Sequence, residues 1–176
     1  MLLMENIICR KLNPDDIDAL VNYLSQLSEE TRKRFGPHGY DKTAVENFYK
    51  DNADVTGYIV ETNSPKQIIA YSLVKNGLLW HDYDRIKNYG VHVDADECCT
   101  FAPSVADEWQ SKGIGKMLFN FILADIKNSG IKKMVLWGGV QASNERAVSF
   151  YTKTGFKTLG SFEYNGSNFD MVMDME

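Results

Sequence analysis

At 176 residues, with 44% apolar residues and a net charge of −5, the chain suits one domain, 1–176, that buries about 70% of its unfolded surface without disulfides or metals. The acidic balance argues against general nucleic-acid binding, and no apolar run reaches bilayer length, so neither nucleic acid nor a membrane is an expected partner. The start, Met1-Leu2-Leu3-Met4-Glu5-Asn6, carries an early acid and lacks the basic stretch of a signal peptide, which makes the cytoplasm the expected location.

Residues 7–12 read as a strand. Asn13-Pro14-Asp15-Asp16 then opens a helix with a cap, a proline at its first position and acids in its first turn. Its apolar face is Ile17, Leu20, Val21, Leu24 and Leu27. Residues 28–35 begin a second short helix, which Gly36-Pro37-His38-Gly39 breaks. Residues 41–50 form a third. Residues 57–62 and 67–74 make a hairpin about Asn63-Ser64-Pro65. Residues 78–96, aromatic and acidic, show no clear pattern and read as an insertion. Residues 98–105 form a strand, and a helix follows with the stripe Ile114, Leu118, Phe121, Ile122, Ile126. A short strand at 133–137 precedes a helix with Ser143 as N-cap and Gly155 at its C-terminal end. Residues 156–164 and 168–173 flank Asn165-Gly166, the signature of a type I′ hairpin turn.

Three cysteines, Cys9, Cys98 and Cys99, make an odd count without a disulfide spacing. Cys98 and Cys99 are neighbours on a strand, face opposite sides and read as small buried hydrophobes. His38, His81 and His92 lack ligand spacing, so no metal site is expected.

The most informative stretch joins the strand at 98–105 to the next helix: Gln110-Ser111-Lys112-Gly113-Ile114-Gly115-Lys116. A glycine turn at a helix N-terminus offers backbone N–H groups without intrahelical partners, together with the positive end of the helix dipole, and so favours a phosphate. A Walker A loop would need Gly where Gln110 stands and Ser or Thr where Met117 stands. A dinucleotide fingerprint would need Gly where Leu118 stands. Neither spacing fits.

The spacing Gln-x-x-Gly-x-Gly resembles the acyl-CoA-binding motif of the GNAT N-acetyltransferase superfamily. Asn144-x-x-Ala147-x-x-Phe150-Tyr151-x-x-x-Gly155-Phe156 is similar to the second signature of that superfamily. Proline 14 to Leu20, followed by residues 27–35, also resembles the GNAT domains of bacterial protein-lysine acetyltransferases. The resemblance implies an α/β (α+β) GNAT fold: a mixed, mostly antiparallel central sheet with helices on both faces and a splayed strand pair, 98–105 and 133–137. It implies acetyl-CoA as cosubstrate and a primary amine acceptor, either a small molecule or a lysine side chain. A non-catalytic acyl-CoA sensor is the alternative, and the chain is expected to be a monomer or homodimer. Val105 would hydrogen-bond the pantetheine arm. Ser111, Lys112, Gly113, Ile114, Gly115 and Lys116, entered from Gln110, would hold the pyrophosphate. Asn144 maps to a CoA-arm contact, and Tyr151 to a catalytic position near the CoA sulfur, where a phenol can protonate or hydrogen-bond a thiolate.

An ammonium acceptor must lose a proton before it attacks. Thr100 stands where protein-acetylating relatives carry Glu, and Thr accepts no proton near neutral pH. Glu97, His81, Asp82 and Glu163 are the other base candidates. Tyr40, Trp80, His81, Tyr83, Tyr89 and Trp109 are candidates for the acceptor side.

Overall fold

The computed structural model describes residues 6–175. Residues 1–5, which carry most of the stretch read for a leader, lie outside the described residues. The chain forms two compact units, the first from residues up to Val74 with Ala102–Asp125, the second from Lys75–Phe101 with the residues from Ile126 on.

In the first unit, β1 (Ile7–Lys11) pairs antiparallel with β2 (Val55–Asn63), Ile7 opposite Thr62 and Lys11 opposite Tyr58. Next in hydrogen-bonding order come β3 (Lys66–Asn76) and the C-terminal half of β4 (Cys98–Val105). Residues 68–74 of β3 are buried without alternation, so both faces of the sheet are covered here. The expected first helix begins as a 3-10 turn, Pro14–Asp16, and continues as α1 (Ile17–Gln26). Asp16 accepts the Asn13 N–H at 2.8 Å, a capping box with Asp in place of Glu. Arg10 holds this turn to the sheet, at 2.6 Å from Asp16 and 2.9 Å from Glu61.

Leu20, Leu24 and Leu27 are buried as the stripe requires, and Tyr23 joins them because its hydroxyl meets Ser104 Oγ at 2.9 Å. α2 (Glu29–Arg34) is capped by Ser28, and α3 (Lys42–Asp51) by Asp41. α5 (Ile114–Ile126) buries Ile114, Leu118, Ile122 and also Phe119, while Tyr58 donates to Asp125 at 2.8 Å.

In the second unit, the N-terminal half of β4 pairs in parallel with β5 (Lys133–Leu136), Cys98 opposite Lys133 and Phe101 opposite Leu136. β8 (Ser167–Asp174) runs antiparallel to β5, to the short β6 (Val140–Gln141) and to β7 (Lys157–Glu163). The β7–β8 turn has φ +50° at Asn165 and +105° at Gly166, but Glu163 pairs with Ser167, so three residues, Tyr164 to Gly166, make the loop where a type I′ hairpin would use two. Cys98 and Cys99 are fully buried on opposite faces, and burial pushes their thiols up to about 11 and about 12. Both therefore stay protonated and inert at neutral pH.

The segment expected to be an insertion contains a helix, α4 (Trp80–Asn88). Ile86 packs on Val135 and Val172, with Leu78, Tyr89, Val91, Val93 and Leu159 around them. An ion cluster provides the rest of its inner face. Arg85 makes two hydrogen bonds to Asp170, of 2.5 and 2.9 Å, and one of 2.6 Å to Asp82. Both aspartates are 1% exposed, and the guanidinium lies 3.7 Å from the Phe162 ring centroid. Asp82 also accepts the Gly138 N–H at 3.1 Å, and Asp170 accepts the Tyr89 hydroxyl at 3.1 Å. Charged residues on the buried face of a helix erase the apolar period that a sequence scan seeks.

Removing one partner of such a cluster strands buried charge, which costs more than the pair contributes. Arg85→Met should lower the unfolding free energy by about 3 kcal/mol, and adding Asp82→Asn and Asp170→Asn should restore part of it. Urea denaturation of the three proteins measures both changes; an Arg85→Met protein as stable as the parent contradicts this account of α4.

Candidate active site

β5 is four residues long, and its register uses all four on residues 98–101 of β4. β4 runs on for another four residues to Val105. Ala106 then donates to the Ile69 carbonyl at 2.9 Å, and a 3-10 turn, Asp107–Trp109, leads into the glycine turn. Ser111 has φ +60° and Gly113 φ +86°. Left-handed residues spaced this way turn successive N–H groups to one side, a nest for an anion. A Cβ at Gly113 would meet nothing within 4 Å; this glycine is there for its backbone conformation, which costs other residues about 1–2 kcal/mol. Met117 N–H bonds to the Gly113 carbonyl at 3.0 Å, so the N–H groups of Ile114, Gly115 and Lys116 precede the first helical bond and point outward. Ile114 buries its side chain and offers only its backbone. Lys112 and Lys116 are exposed, with the Lys112 ammonium 5.4 Å from the Trp109 ring centroid.

A polar brace from α2 fixes this turn. Asp107 accepts from the Ser28 N–H at 2.9 Å, the Ser28 hydroxyl at 2.8 Å and the Thr31 hydroxyl at 2.6 Å. Gln110 Nε2 donates to the Val105 carbonyl at 3.0 Å. Gln110 thus ties the turn to the end of β4 with its side chain. Burial acts to raise the Asp107 carboxyl, but the hydrogen bonds from Ser28 and Thr31 outweigh it and hold the group below the usual carboxylate range.

In the second unit, α6 (Glu145–Lys153) starts one residue later than the sequence suggests. Asn144, not Ser143, is the N-cap, accepting the Ala147 N–H at 3.3 Å. Ser143 is exposed, whereas the half-buried Asn144 has its backbone fixed by a 2.9 Å bond from its N–H to the Gln141 carbonyl. The helix ends in a Schellman motif: Phe156 N–H bonds to Tyr151 O at 3.0 Å and Gly155 N–H to Thr152 O at 3.2 Å, with φ +106° at Gly155. The accompanying apolar contact is Tyr151 against Phe156, ring centroids 5.4 Å apart. Phe150 and Phe101 meet the Tyr151 ring edge-on at 5.5 and 6.5 Å. Tyr151 is 8% exposed, and burial drives its phenol far above the usual value. It is a hydrogen-bond donor at every working pH.

The proposed bases fare poorly. Thr100 is fully buried and donates to the Gly77 carbonyl at 2.7 Å. Glu97 lies in a 3-10 turn ahead of β4, bonded to Lys132 at 2.5 Å. Asp82 is sealed in the α4 ion cluster. His81 is half-exposed, 3.6 Å from Asp82, and Glu163 is exposed at the hairpin end. Among the acceptor-side aromatics, Tyr40 donates to the Arg32 carbonyl at 2.7 Å and to the Phe35 carbonyl, and Tyr89 serves Asp170. Trp80 and Tyr83 are exposed, at 88% and 48%. Among the described residues no group of three or more His, Cys, Asp or Glu side chains is placed to hold a metal, and no helix is long and apolar enough to cross a membrane.

A model of the acetyltransferase (GNAT) family matches residues 22–156. The chain belongs to that family. It is 31% identical over 74 residues to the [ribosomal protein bS18]-alanine N-acetyltransferase of Salmonella typhimurium, a match over 42% of this chain and 49% of that protein; the chain spans about half the length of this curated relative. The GNAT domain of PAT from S. lividans superposes with a TM-score of 0.72 at 20% identity, covering 94% of this chain and 89% of that one. Spermidine N-acetyltransferase from Vibrio cholerae, solved with CoA and spermine, gives 0.70 at 20% identity, covering 97% and 96%. These structural likenesses show the fold.

The Asp107 brace carries a pH signature. A carboxyl held below its unfolded value of 3.8 contributes stability that is complete above that value and is lost as pH falls through the depressed one. The difference in unfolding free energy between the parent and Asp107→Asn should be constant from pH 5 to 8 and shrink below pH 4. A difference that grows on acidification contradicts the brace.

Proposed function

We propose that this protein moves an acetyl group from acetyl-CoA to the nitrogen of a primary amine. The observation that carries this reading is the turn from Gln110 to Lys116, with positive φ at Ser111 and Gly113 at the N-terminus of α5. The backbone N–H groups of residues 111–116 hold the pyrophosphate, and the exposed Lys112 and Lys116 add positive charge beside it. Val105 offers its backbone to the pantetheine arm as a strand would. In the second unit, Asn144, whose Oδ1 caps α6, keeps its side-chain NH₂ to donate to a carbonyl of CoA.

Acetyl-CoA supplies the acyl group as an activated thioester. Tyr151, protonated throughout the working range, donates its hydroxyl to the sulfur as charge develops there. Its ring is fixed by Phe101, Phe150 and Phe156, so the hydroxyl is held in place before the charge appears. A primary amine is the acceptor class that fits the relatives, one named for an alanine of a ribosomal protein and another for spermidine. Three free cysteines among the described residues suit a reducing compartment, and we place the reaction in the cytoplasm.

Two outcomes test this. Millimolar acetyl-CoA should raise the melting temperature by several degrees through mass action, and ATP should do less. An unchanged melting temperature in folded protein sinks the donor assignment. Tyr151→Phe should lower kcat about 10-fold or more while leaving the acetyl-CoA-induced shift intact; equal losses in both assign Tyr151 to packing instead.

A further inference from the structure

The second half of β4 carries a proline on the edge that faces away from β3. Ala106 N–H bonds to the Ile69 carbonyl, and Gly77 N–H to the Cys98 carbonyl, both at 2.9 Å. Ile69 and Gly77 are as far apart on β3 as Ala106 and Cys98 are on β4, so no bulge interrupts this pairing. Strand backbone alternates, so the even-numbered residues of β4 turn their N–H and C=O groups to β3 and the odd-numbered ones turn theirs away. Bonds on the far edge agree. Lys132 N–H reaches the Glu97 carbonyl at 2.7 Å, and Trp137 N–H the Phe101 carbonyl at 2.9 Å.

Phe101 is the last residue of β4 in register with β5. The next residues to turn outward are Pro103 and Val105. Proline has no N–H, and the Val105 carbonyl already accepts from Gln110 at 3.0 Å. Past Phe101 the edge therefore presents a single donor, the Val105 N–H. Proline is normally excluded from the interior of a sheet because it breaks a ladder. Pro103 breaks none, since its nitrogen faces the edge beyond the last β5 rung.

The geometry points to a consequence for the reaction, one that rests on the acetyl-transfer reading above: Pro103 withholds a backbone hydrogen bond from the thioester carbonyl. The arm of the acyl donor starts at the glycine turn and runs along the edge from Val105 toward Phe101, whose carbonyl is taken. Val105 N–H serves the arm, so the acyl end lies along Pro103. In the transfer, the amine nitrogen bonds to the thioester carbon and the C=O π pair moves onto oxygen. The C–S bond then breaks, the oxygen pair re-forms the carbonyl, and the amine proton goes to the departing sulfur. A backbone N–H aimed at that oxygen would stabilise the charge it gains. Any other residue at position 103 would supply one, and proline supplies none. β4 thus leaves the bound thioester unpolarised, and attack on it is slow.

Two measurements test this. The first is the infrared stretch of the thioester carbonyl in acetyl-CoA labelled there with carbon-13 and bound to the protein. A hydrogen bond draws electrons to oxygen and lowers the frequency. The parent's band should lie above that of free acetyl-CoA in water, and Pro103→Ala should bring it down. The second is transfer to n-butylamine and spermidine, read by CoA release. Pro103→Ala should raise kcat about 10-fold or more and keep KM for acetyl-CoA within about threefold, because the gain falls on the transition state. Pro103→Val, a strand former, takes its place if the alanine variant fails to fold.

A parent band at or below that of free acetyl-CoA means that a donor elsewhere polarises the carbonyl, and overturns the inference. So does a folded Pro103→Ala protein with the parent's band, or with an unchanged or lower kcat. If the parent transfers to neither amine, the band alone decides. A parent that does not bind acetyl-CoA overturns the donor reading instead.

Discussion

β4 is twice as long as its parallel partner. β5 spends all four of its residues on Cys98 to Phe101, and the rest of β4 continues toward the glycine turn. A parallel ladder that stops early is costly unless the freed backbone finds other partners. On its other edge β4 stays paired with β3, as far as Ala106 to Ile69. At the end Gln110 supplies one, capping the Val105 carbonyl. Beyond it, the positive φ values at Ser111 and Gly113 aim N–H groups that no helix satisfies. The turn proposed for the acyl donor is built on backbone left over by the sheet.

Polar side chains hold that backbone in position. Asp107 gathers three donors from the start of α2, so the helix and the turn are fixed by one carboxylate. α4 is fastened in the same manner by Arg85 and its two aspartates. Asp82 and Asp170, which are buried, each accept more than one hydrogen bond, which is the condition under which buried polar groups specify a position instead of destabilising it. The cysteines that stand out in the sequence have no such part; both are small side chains filling the two faces of a covered strand.

Much of this was legible in the sequence because it is local. The bounds of β4, the apolar stripe of α5 and the place of the Asn165-Gly166 turn follow from period and turn chemistry within a few residues. The family motifs fall where the turn and α6 stand. The cap of α6 shifted from Ser143 to Asn144, since both residues are good caps and the choice is made by the Gln141 carbonyl. α4 was illegible because Asp82 and Arg85 occupy its inner face.

The central claim is that the backbone of residues 111–116 receives the pyrophosphate of acetyl-CoA. Amide hydrogen exchange with and without acetyl-CoA tests it most directly. The account predicts strong slowing at Ser111, Lys112, Gly113, Ile114, Gly115 and Lys116, with further slowing in residues 102–105. Acetyl-CoA that binds and leaves those amides exchanging at their free rate would contradict it.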